Sequence, residues 1–386
     1  MSVYNWPLMK NTISLGDRLK LAKFVLTADR FTAGKEVKNF ENQWSEWLGC
    51  KESLFVSSGS TANFLLLSAV KELYGLKSGD KVLVPACTWV TNIGPVIQLG
   101  FVPVFCDINL KDFSFCEEHL KDIAVKHSDI KLIFVTHLLG YSSKIEQYKD
   151  YFPDAQILED VCESHGCLSP SGNKRGSEYL GGTFSFYFGH HMTTIEGGMI
   201  STNNEELADL MRVKRSHGLA RESKKFDEYK EKNPEIIPSF LFVTDGYNFR
   251  NTDLGATLGI SQLKRLTSMV KKRNANYDSY YKLIKKHSDK FYVPEYNDLI
   301  SSFAFPFICR TNNTKRGLIS LFEEYKIEYR PVVSGNLLKQ PFLDGYSLNL
   351  EKPNVDIVHD KGVYIANNHF VGSSEFSMLE EILNQL

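Results

Sequence analysis

The fold of this chain is decided by residues 131–160, which read KLIFVTHLLGYSSKIEQYKDYFPDAQILED. The stretch contains two strand candidates, residues 131–136 and 155–160, built around the apolar residues 132–135 and 157–158. Short apolar runs of this kind are typical of strands that a parallel sheet buries on both faces. Further strand candidates, and helix candidates between them, lie at residues 83–85 and 102–107, at Thr61 to Tyr74 and at Glu117 to Lys126. This alternation predicts an α/β fold with a mainly parallel sheet and helices on both of its faces.

The C-terminal third begins with a predicted long helix, from Leu254 to His287, in which apolar residues recur at helical spacing. Within it, Lys271-Lys272-Arg273 predicts a polar face. Strand candidates follow at residues 303–308, 329–331 and 362–365. We therefore predict two domains: an N-terminal segment and large domain over residues 1–250, and the linking helix with a smaller C-terminal α/β domain over residues 251–386.

Composition places the chain among ordinary globular enzymes. It has 386 residues, 42% hydrophobic and 24% charged, and a formal net charge of −1, so no overall field favours nucleic acid or an anionic membrane. Its seven cysteines are scattered, without a C-x-x-C pair, which favours reduced thiols. Because we find neither a membrane-spanning apolar run nor a signal-peptide pattern, we expect a cytoplasmic enzyme. The lysine-rich residues 224–232 predict a solvated loop.

Residues 56–63, VSSGSTAN, form the first segment that can bind a ligand, because they precede a long apolar helix. Unpaired backbone N–H groups and the positive end of the helix dipole make such a place a phosphate cradle. Serine and threonine are also good helix caps. The segment alone therefore leaves both interpretations open.

Residues 159–166, EDVCESHG, follow a predicted strand and contain two acids three residues apart. Ligands collect at the carboxyl ends of parallel strands. A carboxylate there, Asp160, can pair with a protonated pyridine nitrogen and keep an aromatic ring electron-poor, and Glu163 can reach a phenolic oxygen of the same ring. The alternative is a capped helix start, with Asp160 as the cap and Glu163 closing a capping box.

Two other segments are ambiguous by themselves. Trp89 follows the strand that ends at Pro85, and its ring can stack on a ligand or lie in the core. Residues 246–256, GYNFRNTDLGA, carry a polar cluster before the long helix, and this is either a ligand contact or a simple helix-entry loop.

Taken together, these segments resemble the DegT/DnrJ/EryC1/StrS family of sugar aminotransferases, from RFTAG at residues 30–34 to YRP at residues 329–331. The resemblance implies fold type I, pyridoxal phosphate (PLP), and a homodimer with a shared active site. It implies that the phosphate is held by Gly59, Ser60 and Ser185, the ring by Trp89, Asp160 and Glu163, and the neighbouring subunit's phosphate by Asn248. RSHGLAR, residues 215–221, resembles the family's H-G-x-x-R run and implies substrate contacts at His217 and Arg221, with Arg330 as a third.

One segment departs from the family's pattern: GTFSFYFGHHMTTIEGG, residues 182–198. In the family, an S-F-x-x-x-K run reaches a Gly-Gly turn, and its lysine binds the cofactor covalently; the matching residue here is His190. An imidazole cannot make that bond, but it exchanges protons near neutral pH. The other interpretations are a core histidine or half of a metal site, although no third ligand lies at recognisable spacing. His191 is expected to pack in the interior.

The double histidine, with Ile195-Glu196-Gly197-Gly198 after it, resembles the nucleotide-sugar 3-dehydratases of 3,6-dideoxysugar biosynthesis within this family. Some of these carry an iron–sulfur cluster on closely spaced cysteines after the catalytic segment. This chain has no cysteine between Cys167 and Cys309, so we expect neither a cluster nor another metal.

That resemblance implies removal of the C3 hydroxyl from a nucleotide-linked 4-keto-6-deoxy sugar, with His190 as catalytic residue. It also implies that the working cofactor is pyridoxamine phosphate (PMP), regenerated from PLP by L-glutamate, that ammonia is released, and that the product feeds lipopolysaccharide or capsule synthesis. Two alternatives stay open. One is a nucleotide-sugar 4-aminotransferase with another lysine, for which Lys174 is the nearest upstream candidate; the other is an inactive homologue that binds a nucleotide sugar.

Overall fold

A computed structural model describes residues 4–386 of the chain. The helices are α1 (Leu15–Thr27), α2 (Lys35–Leu48), α3 (Gly59–Leu73), α4 (Gly94–Gln98), α5 (Glu117–Lys126), α6 (Tyr148–Tyr151), α7 (Glu205–Arg215), α8 (Phe226–Lys232), α9 (Asp253–Lys286), α10 (Asn312–Glu324), α11 (Asn354–Lys361) and α12 (Ser373–Gln385). The strands are β1 (Glu52–Val56), β2 (Lys81–Pro85), β3 (Val102–Cys106), β4 (Ile130–Thr136), β5 (Gln156–Asp160), β6 (Gly181–Ser185), β7 (Gly198–Thr202), β8 (Phe291–Tyr292), β9 (Ala304–Cys309), β10 (Tyr329–Arg330) and β11 (Gly362–Ala366). The strands and helices predicted from the apolar runs are confirmed, with ends shifted by a few residues at most.

The larger sheet has seven strands in the order β1-β7-β6-β5-β4-β2-β3. The strands β3, β2, β4, β5 and β6 run parallel, whereas β7 pairs antiparallel with both β6 and β1. The prediction of a mainly parallel sheet is therefore confirmed. The register sets Thr136 beside Asp160 and Asp160 beside Thr183, so these three residues share the carboxyl edge of the sheet.

Helices cover both faces of this sheet because its strands are apolar on both sides. Along β4, Leu132 and Phe134 belong to the core under α3 and α7, while Ile133 and Val135 belong to the core under α5 and α6. This alternation has the two-residue period that the pleat of a strand requires. The predicted cover on both faces is therefore confirmed.

A second, four-stranded antiparallel sheet follows the long helix α9, in the order β10-β11-β9-β8. The described N-terminal residues also reach it: Trp6 forms a bridge with Ile327, and its indole N–H donates to the carbonyl of Ala366 at 2.9 Å. The C-terminal sheet therefore shares its core with the beginning of the chain, and the division at residue 250 stays a prediction.

Two local predictions are wrong. Residues 226–232 are helical rather than a loop, although none of them is buried, since lysine and glutamate favour helix wherever packing does not decide. Arg273 does not lie on a polar face of α9 but is only 2% exposed. Its position falls on the buried stripe of the helix, four residues after Met269 and four before Tyr277. Among residues 4–386, no helix combines the length and the apolar character that a membrane crossing needs.

Candidate active site

A cavity of about 450 Å³ opens at the carboxyl edge of the seven-stranded sheet. Residues from the large sheet form one side of it, here called the sheet wall (Asp160, Glu163, Ser185 and His190). The opposite side, the C-terminal wall, is formed by Arg273, Phe303, Asn367 and Asn368. Eight of the eleven predicted site residues line this cavity: Gly59, Ser60, Trp89, Asp160, Glu163, Ser185, His190 and Arg330.

Asp160 is held at the end of β5 by two hydrogen bonds. One carboxylate oxygen accepts from the backbone N–H of Cys162 and the other from the side-chain amide of Asn63, each at 2.9 Å. The amide oxygen of Asn63 in turn accepts from the hydroxyl of Thr183 on β6 at 2.6 Å. A carboxylate has lone pairs beyond these two bonds, so Asp160 can still accept a hydrogen bond from a ligand in the cavity.

Glu159, the preceding residue, points to the other face of the sheet and takes no part in the cavity. It is fully buried, and its carboxylate lies 3.1 Å from Nε2 of His137. The other ring nitrogen of His137 accepts from the N–H of Ser143 at 3.0 Å, so Nε2 carries the proton and donates to Glu159. The two neighbouring acids therefore have different surroundings because successive strand residues face opposite sides.

Glu163 lines the cavity from the turn after β5. One of its carboxyl oxygens accepts from the N–H of Leu139 at 2.9 Å. Burial, together with the charge of Asp160, raises the pKa of the Glu163 carboxyl to about 7. Near neutral pH this group can therefore either donate or accept a proton. The capped-helix interpretation of residues 159–166 is wrong, because no helix begins in this segment.

Residues 56–63 cap a helix and also leave backbone donors free, while a phosphate at this place stays a prediction. Ser58 is the N-cap of α3 and accepts from the N–H of Thr61 at 3.1 Å. The N–H groups of Gly59 and Ser60 at the first turn donate to no described residue, and both residues line the cavity. A Cβ at Gly59 would lie 2.7 Å from Cβ of Ser185, so glycine is needed for the close approach of α3 to β6. Free donors at a helix N-terminus suit an anion.

His190 lies in the turn after β6, with its ring on the cavity. Nδ1 lies 2.6 Å from the carbonyl oxygen of Cys162. A carbonyl only accepts, so Nδ1 carries the proton and Nε2 keeps a lone pair. Burial lowers the pKa of the His190 imidazole to about 4, so the ring is neutral near pH 7. The arrangement is that of a base with a fixed tautomer.

His191 is buried, as expected of a packing residue. Its ring faces that of His165 with centroids 5.3 Å apart, and the surrounding side chains include Phe303 and Phe186. Burial lowers the pKa of both imidazoles well below the usual value for histidine. The neighbours of His190 therefore form a neutral, mainly aromatic support behind it.

Trp89 is 55% exposed and lines the cavity, so its interpretation as a core residue is wrong. The residue before it is anchored: the hydroxyl of Thr88 bonds to Thr136 and to Asn92, both at 2.8 Å. The backbone next to Trp89 is thus held in place while the indole ring stays exposed to the cavity, which suits stacking against a planar ligand.

Three predicted residues lie outside this cavity. His217, Arg221 and Asn248 are exposed and close together in the fold, since bridges join Ser216 to Asn248 and Leu219 to Phe242. The guanidinium of Arg250 reaches His217 at 3.4 Å and Asn248 at 3.1 Å. Within one chain these side chains do not contribute to the cavity.

The structure adds cavity residues that the sequence did not reveal, above all Arg273 and Asn368 on the C-terminal wall, with Lys10 near them. The signal for Arg273 was its helical position among buried residues, which the lysines before it obscured. Lys174, the nearest upstream candidate for the aminotransferase alternative, lies over the ring of Trp47 and does not line the cavity. No group of three potential metal ligands occurs among residues 4–386.

Comparison with known proteins identifies the chain's relatives. The model of the DegT/DnrJ/EryC1/StrS aminotransferase family matches residues 15–365. The GDP-4-keto-6-deoxy-D-mannose 3-dehydratase of Yersinia pseudotuberculosis is 33% identical, over 99% of this chain and 98% of the relative. The predicted resemblance is therefore confirmed.

Solved structures agree with this assignment. The Escherichia coli GDP-4-keto-6-deoxy-D-mannose-3-dehydratase with bound hydrated PLP is 30% identical, with a TM-score of 0.91 over 99% of this chain and all of that one. A GDP-4-keto-6-deoxymannose-3-dehydratase with a trapped PLP–glutamate geminal diamine has a TM-score of 0.88 at 30% identity, over 98% of this chain and all of that one. The predicted fold type I architecture is confirmed by this likeness.

Proposed function

The chain belongs to the DegT/DnrJ/EryC1/StrS aminotransferase family, and on that premise we propose that it is a PLP-dependent nucleotide-sugar 3-dehydratase. It removes the C3 hydroxyl of a nucleotide-linked 4-keto-6-deoxy sugar, using PMP that L-glutamate regenerates. The observation that carries the proposal is His190, which stands where the family has its cofactor-binding lysine and which faces the cavity as a neutral base.

The residues of the cavity fit this cofactor. The free N–H groups of Gly59 and Ser60, with the hydroxyl of Ser185, would hold its phosphate. The open ring of Trp89 would stack on the pyridine, and Asp160 would accept from the protonated ring nitrogen. Glu163, with its raised pKa, would lie near the phenolic oxygen. Without a covalent bond, these contacts must supply all of the binding energy.

When bound, PMP supplies an amine that condenses with the C4 ketone and a ring that accepts an electron pair. The protein's own residues would hold and transfer the protons. Asp160 keeps the ring nitrogen protonated. His190 Nε2 would take the proton that must be removed beside the ring, and the resulting imidazolium would protonate the C3 hydroxyl as it leaves as water. One imidazole serves both steps because its Nδ1 proton stays bonded to the carbonyl of Cys162.

The overall reaction balances with glutamate as the reductant. The sugar gains two electrons when its C3–O bond becomes C3–H. Glutamate supplies them as it becomes 2-oxoglutarate, and its nitrogen leaves as ammonia. Since relatives carry the name GDP-4-keto-6-deoxy-D-mannose 3-dehydratase, a GDP-linked sugar is the first substrate to test. We also propose a cytoplasmic enzyme without an iron–sulfur cluster.

The proposed active form is a homodimer. Asn248 would reach the cofactor phosphate of the partner subunit, as the resemblance implies. Because His217 and Arg221 lie close to Asn248 and outside the cavity of their own chain, we infer that these substrate contacts also complete the partner's site. Their surroundings favour this arrangement, because Phe240 and Phe242, close to them in the chain, are 66% and 55% exposed. With Ile237, which is 67% exposed, they form a local apolar cluster, and a contiguous exposed apolar patch marks an interaction surface.

Identifying the products of the reaction tests the proposal. The purified protein is incubated with PLP, L-glutamate and GDP-4-keto-6-deoxymannose. We expect one ammonia and one 2-oxoglutarate per 3-deoxy-4-keto sugar formed. A 4-amino sugar formed without ammonia would instead identify an aminotransferase, and tight sugar binding without any glutamate consumption would identify an inactive homologue.

A further inference from the structure

Arg273 is a buried cation without an acidic partner. The residue is only 2% exposed, and no described acidic residue forms an ion pair with it. One terminal nitrogen, Nη1, donates to the carbonyl oxygens of Phe303, at 3.2 Å, and of Asn367. Nε is buried without a hydrogen-bond partner, and Nη2 donates to no described residue. The residue lines the cavity, so part of its donor fork faces open space.

Such an arrangement is costly for a protein that binds nothing there. A guanidinium taken out of water needs its donors satisfied, because burying an unpaired charge is strongly unfavourable. Burial lowers the pKa of Arg273 to about 9, which still leaves it charged near pH 7. The cost is understandable if a ligand supplies the missing anion.

A second donor lies beside this guanidinium. Asn368 is 7% exposed and lines the cavity; its amide oxygen accepts from the N–H of Phe370 at 2.9 Å, while its amide nitrogen donates to no described residue. The carboxylates that line the cavity, Asp160, Glu163 and Glu196, make no bond to either residue. The polar groups of Arg273 and Asn368 that no described residue satisfies are therefore donors.

We propose that Arg273 and Asn368 bind the α-carboxylate of the amine donor. The identity of that donor, L-glutamate, rests on the proposed function. A guanidinium fork matches the two oxygens of a carboxylate, and a single buried cation suits a singly charged group better than a diphosphate.

Geometry supports the α-carboxylate in particular. Phe303 connects the two walls: its carbonyl accepts from Arg273, and its ring lies 5.5 Å from that of His190, centroid to centroid. An α-carboxylate anchored at Arg273 would therefore keep the attached α-carbon on the side of the cavity that holds the His190 ring. The free N–H groups for a phosphate belong to a different part of the cavity, at the start of α3.

The first experiment measures equilibrium binding to the PLP-loaded protein by calorimetry, with glutarate as an unreactive dicarboxylate and GDP as a phosphate probe. We expect Arg273→Gln to weaken the binding of glutarate at least tenfold and to change the affinity for GDP by no more than about threefold. Lys272→Gln, which removes an exposed charge from the same helix, is the matched control and should change neither. Unchanged glutarate binding in Arg273→Gln, or a selective loss of GDP, would overturn the assignment.

A second variant guards against a folding defect in the first. Asn368→Asp is nearly isosteric, keeps the oxygen that accepts from Phe370, and adds a carboxylate next to Arg273. The new carboxylate should form an ion pair with the Arg273 guanidinium and so compete with the ligand. We therefore expect glutarate binding to weaken at least tenfold, while the melting temperature stays equal or rises. Retained glutarate affinity in this variant contradicts the proposal.

Kinetics separates this proposal from the proposed function. In single turnovers, Arg273→Gln should raise the glutamate concentration that half-saturates conversion of PLP to PMP at least tenfold, while PMP-loaded protein still converts one equivalent of sugar. If no 4-keto sugar reacts but glutamate conversion still depends on Arg273, the dehydratase proposal fails and the carboxylate site stands. If the 4-keto sugar reacts but glutamate conversion does not depend on Arg273, only the carboxylate site is refuted.

Discussion

The two walls of the cavity hold their polar side chains in different ways. On the sheet wall, Asp160, Glu163 and His190 are each tied by the protein, with backbone N–H groups or a carbonyl as partners at 2.6 to 2.9 Å. On the C-terminal wall, Arg273 and Asn368 keep donors that no described residue accepts. The difference teaches that the groups proposed to move protons are fixed in advance, whereas the groups proposed to recognise a ligand leave their bonds open for it.

The largest effect should come from His190→Asn. The amide can replace the bond to the carbonyl of Cys162 but cannot take a proton, so we expect single-turnover dehydration by PMP-loaded protein to fall roughly a thousandfold, within the range known for general acid–base groups. Ammonia release measures it. His287→Asn, outside the cavity, is the control and keeps full activity. A fully active His190→Asn would show that the sheet wall is not arranged around this base.

Asp160→Asn should have the next largest effect. It keeps the shape of the side chain but loses the charge that would hold the ring nitrogen protonated, and a hydrogen bond to a charged group is worth about 1.5–3 kcal/mol. We expect the rate to fall roughly ten- to hundredfold. Glu159→Gln, on the opposite face of the same strand, is the matched control: it should lower stability through His137 and leave the rate within about twofold. Equal rate losses in both variants would contradict the assignment to Asp160.

Glu163→Gln tests the electrostatics of the sheet wall through pH. The folded protein raises the pKa of Glu163 from 4.5 to about 7, so the stability linked to this proton is fully present below about pH 4.5 and is lost as the pH rises through 7. Glutamine never ionises. We therefore expect the variant to be more stable than the wild type at pH 8 by about 3 kcal/mol, with the difference gone near pH 4.5. Urea unfolding without added PLP measures it, and a difference independent of pH refutes the buried-acid explanation.

The smallest effect should come from Asn63→Ala, which removes the support of Asp160. The variant loses a bond to the charged Asp160 and a second bond to Thr183, so we expect the free energy of unfolding to fall by about 2 kcal/mol. Combined with Thr183→Val, the loss should be less than additive, because the two side chains share one bond. Additive losses in urea unfolding would mean that the sheet wall is not a connected network.

Sequence patterns predicted one wall well and the other poorly. Short local motifs contain the strand ends and the residues Asp160, Glu163 and His190. The alternation of side chains along a strand is enough to place Asp160 and Glu159 on opposite faces of the sheet. Arg273 was misjudged because the run Lys271-Lys272-Arg273 looks uniformly polar, although the helical period sets its third member on the buried face. Nothing local marks Asn368, since its role depends on β11 and α9 meeting at the same cavity.

The sequence by itself determined the layered α/β fold, the family and the place of a histidine where a lysine is expected, because these depend on periodicity and on motifs a few residues long. Only the tertiary structure decided which nitrogen of His190 carries the proton, that Glu163 has a pKa near 7, and that Arg273 has no acidic partner. Those properties come from burial and from contacts between residues far apart in the chain, such as Arg273 with Asn367, and only the folded chain brings such groups together.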